Sequence, residues 1–402
     1  MGTNYWRLWT SSGLSNLADG IISVALPLVA IQFTRSPTLI AGLTVAVTLP
    51  WLLFALPAGA LADRLDRRRA MLGANSVRAL LIAVLGLAVI LDAGSIWGLY
   101  AIALGLGVAE TIYDTSAQSI MPQVVPPDLL PRANGRLYAA ELTANEFMGR
   151  PLAGFLVATG TAIAFAAPVA LWGLAVVALV FLRGSFRVER SQRTSMRHDI
   201  AEGLRFLWRH RLLRTFAVMT GLFNFATSAM FAVFVLYAVG PSSAMGLSEQ
   251  AFGVLLAAVA GGSLFGSFVA ESVGRVLGRA RALALSIFLG ALLVGIPAVT
   301  ANLFVIGAAF FLGGTGIVIW NVTVVSLRQR ITPNGLLGRV NSGYRLVAWG
   351  TKPLGALAGG LLAQLLGLPP TFAIMALLVF TMLVGMAIAT DDRMDAAERA
   401  VA

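Results

Sequence analysis

The 402-residue sequence contains no cysteine, so neither a disulfide framework nor a thiolate metal or redox site is available to it. Its two histidines, His198 and His210, fall in the one long polar stretch, which excludes a histidine cluster binding metal inside an apolar region. Charged residues make up 12%, about half the share usual in a soluble domain. Lysine is represented by Lys352 alone. No nucleophile, metal or nucleotide motif is present, and Gly313-Gly314-Thr315-Gly316 follows no strand pattern. An enzyme is not expected, and neither is a cofactor.

Apolar residues fill the space: 58% of the chain, with 42 glycines and a mean hydropathy of +0.84. A spanning helix needs roughly 20 mostly apolar residues. Twelve segments qualify: 8–34, 38–61, 70–91, 96–120, 136–158, 163–182, 213–239, 250–270, 283–300, 302–326, 343–366 and 371–389. Arg7 leads straight into the first of them, so no cleavable signal is expected. The expected fold is therefore all-α and membrane-spanning, with two six-helix bundles over 1–182 and 213–402 joined by a linker over 183–212. Within that linker, Ile200, Leu204, Phe206 and Leu207 form an apolar stripe among arginines, which reads either as an amphipathic helix on the membrane surface or as a solvated connection.

The net charge of +11 describes topology. With both termini inside, Arg64, Arg67, Arg68, Arg69, Arg132, the linker arginines, Arg275, Arg279, Arg281, Arg328, Arg330 and Arg339 fall on the cytoplasmic side, and Arg35 alone falls in a loop opposite. This is the positive-inside asymmetry, and it removes nucleic acid as a partner. Membrane lipid is the expected surrounding.

The halves repeat. A shift of 207 pairs Gly107 with Gly314, Asp114 with Asn321, Ser119 with Ser326, Pro126 with Pro333, Arg132 with Arg339 and Asn134 with Asn341. A shift of 208 pairs Gly13, Leu14, Asn16 and Ala18 with Gly221, Leu222, Asn224 and Ala226. Two pseudo-equivalent bundles have two nearly equivalent packings, the basis of alternating access in secondary transporters.

The loop after segment 2 reads Gly59, Ala60, Leu61, Ala62, Asp63, Arg64, Leu65, Asp66, Arg67, Arg68, Arg69. It resembles the signature loop of the major facilitator superfamily, with Asp66 where that pattern usually has a second glycine. The second-half loop keeps its arginines but has Arg275 at the aspartate position. Ala109-Glu110-Thr111 with Asp114, Ala133-Asn134-Gly135, and Gly338-Arg339-Val340-Asn341 followed by Arg345 and Pro353-Leu354-Gly355 resemble the bacterial enterobactin-type and macrolide-type exporters. The resemblance implies a monomeric, proton-coupled exporter of a small amphiphilic substrate in a bacterial inner membrane. It also implies a gate built on Gly59, Asp63, Arg64, Arg67 and Arg68. An importer of the same fold, or a receptor or lipid-handling protein without ion coupling, stays open.

An ionisable residue at membrane depth costs at least ~2.5 kcal/mol and needs a reason. The acids Asp19, Glu110, Asp114, Glu141 and Glu146 and the bases Arg150, Arg345 and Lys352 are such residues. Glu110 and Asp114 share a helix face four residues apart, so in a poorly solvated site they titrate as a unit. Glu146 and Arg150, also four apart, form an intrahelical pair, with Asp19 or Glu141 as competitors for the arginine. Asp19, Glu110, Asp114, Glu141, Glu146 and Arg150 are thus the candidate proton-coupling groups. For substrate, the candidates are the amides Asn16, Asn224 and Asn321, the aromatics Tyr113, Phe223, Phe231 and Trp320, and the cation Arg345, because apolar walls with few polar anchors suit an amphiphile.

Overall fold

The computed structural model describes residues 1–62, 66–126, 129–184, 186, 196–333 and 336–400. Among them there is no β-strand, only an isolated bridge between Val239 and Leu247. The helices are α1 Thr3–Phe33, α2 Pro37–Ala62, α3 Arg67–Ile90, α4 Ile96–Val124, α5 Leu130–Leu142, α6 Arg150–Thr159, α7 Thr161–Val180, α8 Met196–Arg209, α9 Arg211–Ala238, α10 Glu249–Leu277, α11 Arg279–Gly295, α12 Leu303–Ile331, α13 Leu337–Leu366, α14 Leu368–Phe380, α15 Met382–Met386 and α16 Asp391–Arg399. Ten helices among the described residues are long and apolar enough to cross a membrane, and α2 contributes a shorter apolar helix over Pro37–Leu53. The fifth expected segment is not one uniform helix: a π-helical turn, Thr143–Gly149, joins α5 to α6. Turns of this kind insert a residue into the helical ladder and recur at functional sites.

The chain divides into two compact units. The first comprises 1–35, 42–193 and 238–257; the second comprises 36–41, 194–237 and 258–402. In the first, α1 is the central element. Tyr5 donates to the carbonyl of Ala133 (3.2 Å) and Trp9 Nε1 to that of Arg136 (3.2 Å), which ties its start to α5. Farther along, Gly20 meets the π turn so closely that a Cβ there would lie 2.2 Å from the Asn145 carbonyl oxygen. In the second unit α9 holds α13 in the corresponding way: Asn224 donates to the carbonyl of Ala348 (2.7 Å) and Ser228 to that of Lys352 (2.8 Å).

Two features add to the expected plan. The apolar stripe of the linker lies on α8. It packs on α13, where Gly203 lies against the Arg339 carbonyl, Leu207 is fully buried and Glu202 pairs with Arg339. Beyond the last span, the polar α16 forms a further helix and folds back onto α11 and α12. Asp391 Oδ1 accepts from the backbone N–H of Ala280 (3.0 Å), Arg279 pairs with Asp395 and with Glu398 (2.5 Å), and Met394 is fully buried. The acid missing from the second-half loop is thus supplied from α16.

Candidate functional site

In the first unit a cavity of about 300 Å³ is lined by Asp19 and Ser23 of α1, Thr44 and Thr48 of α2, Arg78 of α3, Glu110 of α4, Asn145 of the π turn and Trp172 of α7. Apolar neighbours such as Ile22, Leu26 and Val47 complete the wall. The size is at the lower end of that for small-ligand sites.

Its polar centre is Arg78, whose side chain is 1% exposed. Arg78 Nη1 donates to Asp19 Oδ2 (3.2 Å) and to Ser15 Oγ (3.1 Å), and Ser15 donates in turn to Asn75 Oδ1 (3.1 Å). The guanidinium lies over the rings of Tyr113 (5.2 Å) and Trp172 (5.9 Å), so aromatic faces stabilise the cation. Glu110 and Asp114 also act on it electrostatically. Three carboxylates therefore surround one buried arginine. Such a cluster cannot carry all its formal charges at low cost.

In the sequence Arg78 reads as a boundary arginine available to pair with Glu110 or Asp114, and spacing does not link it to Asp19. Its signal was available: eleven residues into a helix that begins at Arg67, it is well inside the apolar run. Of the other coupling candidates, Glu141 accepts from Ser12 Oγ (3.3 Å), while Arg150 pairs with Glu146 (2.6 Å). Asp19 is engaged by Arg78, not Arg150.

The substrate candidates separate. Phe223, Asn224, Trp320 and Asn321 meet in the second unit around a cavity of about 70 Å³, with Thr220, Ser286 and Met382. Trp320 Nε1 donates to Thr220 Oγ1 (3.0 Å), which pairs with the Tyr344 hydroxyl (2.6 Å). Tyr113 is buried beneath Arg78, and Asn16 donates to the Ser12 carbonyl (3.0 Å) of its own helix. Phe231 belongs to an aromatic cluster with Phe310 (5.7 Å) and Phe234 (6.4 Å). Arg345 stacks on Trp349 (4.4 Å), with Lys352 also near that ring (5.0 Å).

Of the gating loop, Asp63 and Arg64 lie outside the described residues, and Gly59 lies in α2. Arg68 donates to the carbonyls of Leu179 (2.8 Å) and Val180 (2.5 Å), and Arg67 N–H to that of Phe186 (3.4 Å). Asp66 caps α3, accepting from Arg69 N–H (3.1 Å) and, through Oδ2, from Phe186 N–H (3.0 Å). The residue at the unusual loop position is a working N-cap.

A chain of long apolar helices in two compact units, with a charged network buried in the first, fits a multi-pass membrane transporter. The description "transmembrane secretion effector" matches residues 3–401, and the chain belongs to that family of the major facilitator superfamily. The multidrug efflux pump Tap of Mycolicibacterium fortuitum is 28% identical over 392 residues, which span 89% of each chain. The Tap pump of Mycobacterium tuberculosis is 27% identical over 414 residues, 95% of this chain and 92% of that one. A bacterial homologue of the iron transporter ferroportin, solved in an inward-facing state, matches the fold with a TM-score of 0.75 at 18% identity, over 96% of this chain and 99% of that one.

Proposed function

We propose that the protein is a proton-coupled exporter, an antiporter that exchanges protons for an amphiphilic small molecule by alternating access. It acts as a monomer in a bacterial inner membrane with both termini cytoplasmic and 183–212 as a cytoplasmic linker between bundles 1–182 and 213–402. The observation that carries the reading is the Asp19–Arg78 pair with Glu110 on the wall of one cavity and Asp114 acting on the same arginine. Protonating one acid shifts Arg78 toward another, which gives the cavity two arrangements distinguished by a proton. Glu141, Glu146 and Arg150 extend this network along the π-helical segment. Phe223, Asn224, Trp320 and Asn321, gathered around the small cavity of the second unit, are the proposed substrate contacts. Arg67 and Arg68 with the signature loop latch the cytoplasmic ends. The kinship with efflux pumps supports the outward direction.

The test is ethidium transport in proteoliposomes under an imposed pH gradient. Neutralising Asp19, Glu110 or Asp114 as the amide is expected to abolish uphill movement while downhill exchange persists. Undiminished gradient-driven transport by the triple variant would refute the coupling assignment.

A further inference from the structure

The repeat is broken at one buried place, and the break has a chemical sense. At the 207-residue shift, Met121, Val125 and Leu137 of the first unit correspond to Arg328, Thr332 and Tyr344 of the second. In the first unit these positions form part of one buried apolar cluster. The second unit places an arginine, a hydroxyl and a phenol there, all buried, with Arg328 8% exposed.

Arg328 stacks on Tyr344, its Cζ 4.1 Å from the ring centroid. The ring is held still, since its hydroxyl donates to the Phe216 carbonyl (3.1 Å) and pairs with Thr220. Stacking occupies the face of the guanidinium and leaves its in-plane N–H groups to be satisfied. Nε and Nη1 have no hydrogen-bond partner among the described residues, and neither do Thr332 Oγ1 and Asn341 Oδ1. Thr332 is one turn after Arg328, and Asn341 is one turn before Tyr344 on α13. Four described acids of this unit are engaged elsewhere: Glu202 by Arg339, Asp391 by Ala280, and Asp395 and Glu398 by Arg279. The position at the end of α12 suits a positive charge. It does not explain two buried, unmet donors, which are costly to leave without an acceptor.

We propose that Arg328, Thr332 and Asn341, braced by Tyr344, form a binding site for a phosphate group at the C-terminal end of α12. Nε and Nη1 open on different edges of the guanidinium, so a phosphate oxygen is met by one charged N–H at a time, and the threonine hydroxyl is a further donor beside it. The Asn341 oxygen is an acceptor, which fits the P–OH of monoprotonated inorganic phosphate or a hydroxyl of a glycerol headgroup. The group comes either from a soluble phosphate or from a phospholipid headgroup.

Thermal unfolding of the purified full-length protein tests this. The probes are inorganic phosphate at matched ionic strength and, separately, nanodiscs of phosphatidylglycerol against phosphatidylcholine. Wild type is expected to gain about 2 °C or more with one probe. A gain with inorganic phosphate assigns the soluble source, and a gain only with phosphatidylglycerol assigns the lipid. Arg328→Met installs the first-unit residue. It is expected to equal or exceed wild type in stability without phosphate and to lose the response. Arg328→Lys, the variant that keeps the charge, is expected to retain part of it. No wild-type response to either probe, or the same response in wild type and Arg328→Met, overturns the proposal. Should Arg328→Met fail to fold, an undiminished response in Arg328→Lys together with Thr332→Val overturns it as well.

Discussion

Arg78 donates to Asp19 across 59 positions of sequence, and the same Nη1 holds Ser15. The two partners are not equivalent. Asp19 retains 19% exposure while Arg78 has 1%, and Arg78 faces further acids while Asp19 has one base. Removing one member of a buried pair typically costs ~3–5 kcal/mol because the other is left uncompensated. Asp19→Asn leaves Arg78 with Glu110 and Asp114 nearby, so a smaller loss is expected. Arg78→Gln strands three acids and is expected to lower the unfolding temperature more. Thermal unfolding in detergent checks the order; the opposite ranking would show that Arg78 is not the centre of the network.

Glycine at position 20 is a requirement of close approach. A methyl group there would sit 2.2 Å from the Asn145 carbonyl oxygen, on backbone that cannot rotate away, whereas a methyl group at Gly13 meets nothing within 4 Å. Gly20→Ala is therefore expected to push α1 off the π turn and reduce transport at least tenfold. Gly13→Ala, on the same helix, is expected to leave it near wild type and gain up to ~1 kcal/mol from helix propensity. Transport assays on the two variants, normalised to membrane abundance, separate a packing requirement from a general need for helix flexibility.

Much of this architecture was legible before any coordinates. Long apolar runs determine spans because lipid offers no partner for backbone groups, and the paired residues Asn16 and Asn224 mark corresponding helices even though Asn16 bonds within α1 and Asn224 bonds across to α13. What escaped notice escaped for physical reasons. The partner of Asp19 is set by how α1 and α3 both pack on α7, which spacing along one helix does not encode. The π turn changes the helical period by a single residue and leaves the apolar pattern intact. Being polar and only nine residues long, α16 is invisible to a hydropathy window, and its fold rests on Met394 and on partners in α11 and α12.

His210 joins α8 to α9, and its Nδ1 accepts the backbone N–H of Leu213 (3.5 Å). Burial pushes the imidazole below its ordinary value of 6.5, so the folded protein binds this proton less readily than the unfolded chain. The stabilisation is therefore present above that ordinary value and is lost as pH falls below it toward the folded value. His210→Asn retains a side-chain acceptor that does not titrate. The unfolding temperature of wild type is expected to fall more steeply than that of His210→Asn on acidification from pH ~7.5 to ~5.5; parallel curves would dissociate His210 from that pH dependence.

The two units cap their corresponding helices with aspartates from opposite sources. In the first, Asp66 precedes α3 in the chain and also holds Phe186 beyond α7. In the second, α11 begins at Gly278, whose φ of 81° no side chain favours, and Asp391 reaches in from α16 beyond the last span. Truncation after Thr390 removes this cap, and with it the pairs of Arg279 with Asp395 and Glu398 and of Arg330 with Glu398 (3.6 Å). A cap is worth ~1 kcal/mol and part-exposed ion pairs ~0.2–1 kcal/mol each, so a loss of roughly 2 kcal/mol is expected at low salt. The two contributions differ in their response to ions. Paired charges near the surface are screened at ~1 M salt, while a cap hydrogen bond is short-ranged and persists. Asp391→Ala is therefore expected to cost the same at both salt concentrations. Glu398→Gln is expected to cost less at high salt, and truncation should fall between. Thermal unfolding of the three variants at low and high salt measures this, and a truncated protein as stable as wild type at low salt would show that α16 docks without supporting α11.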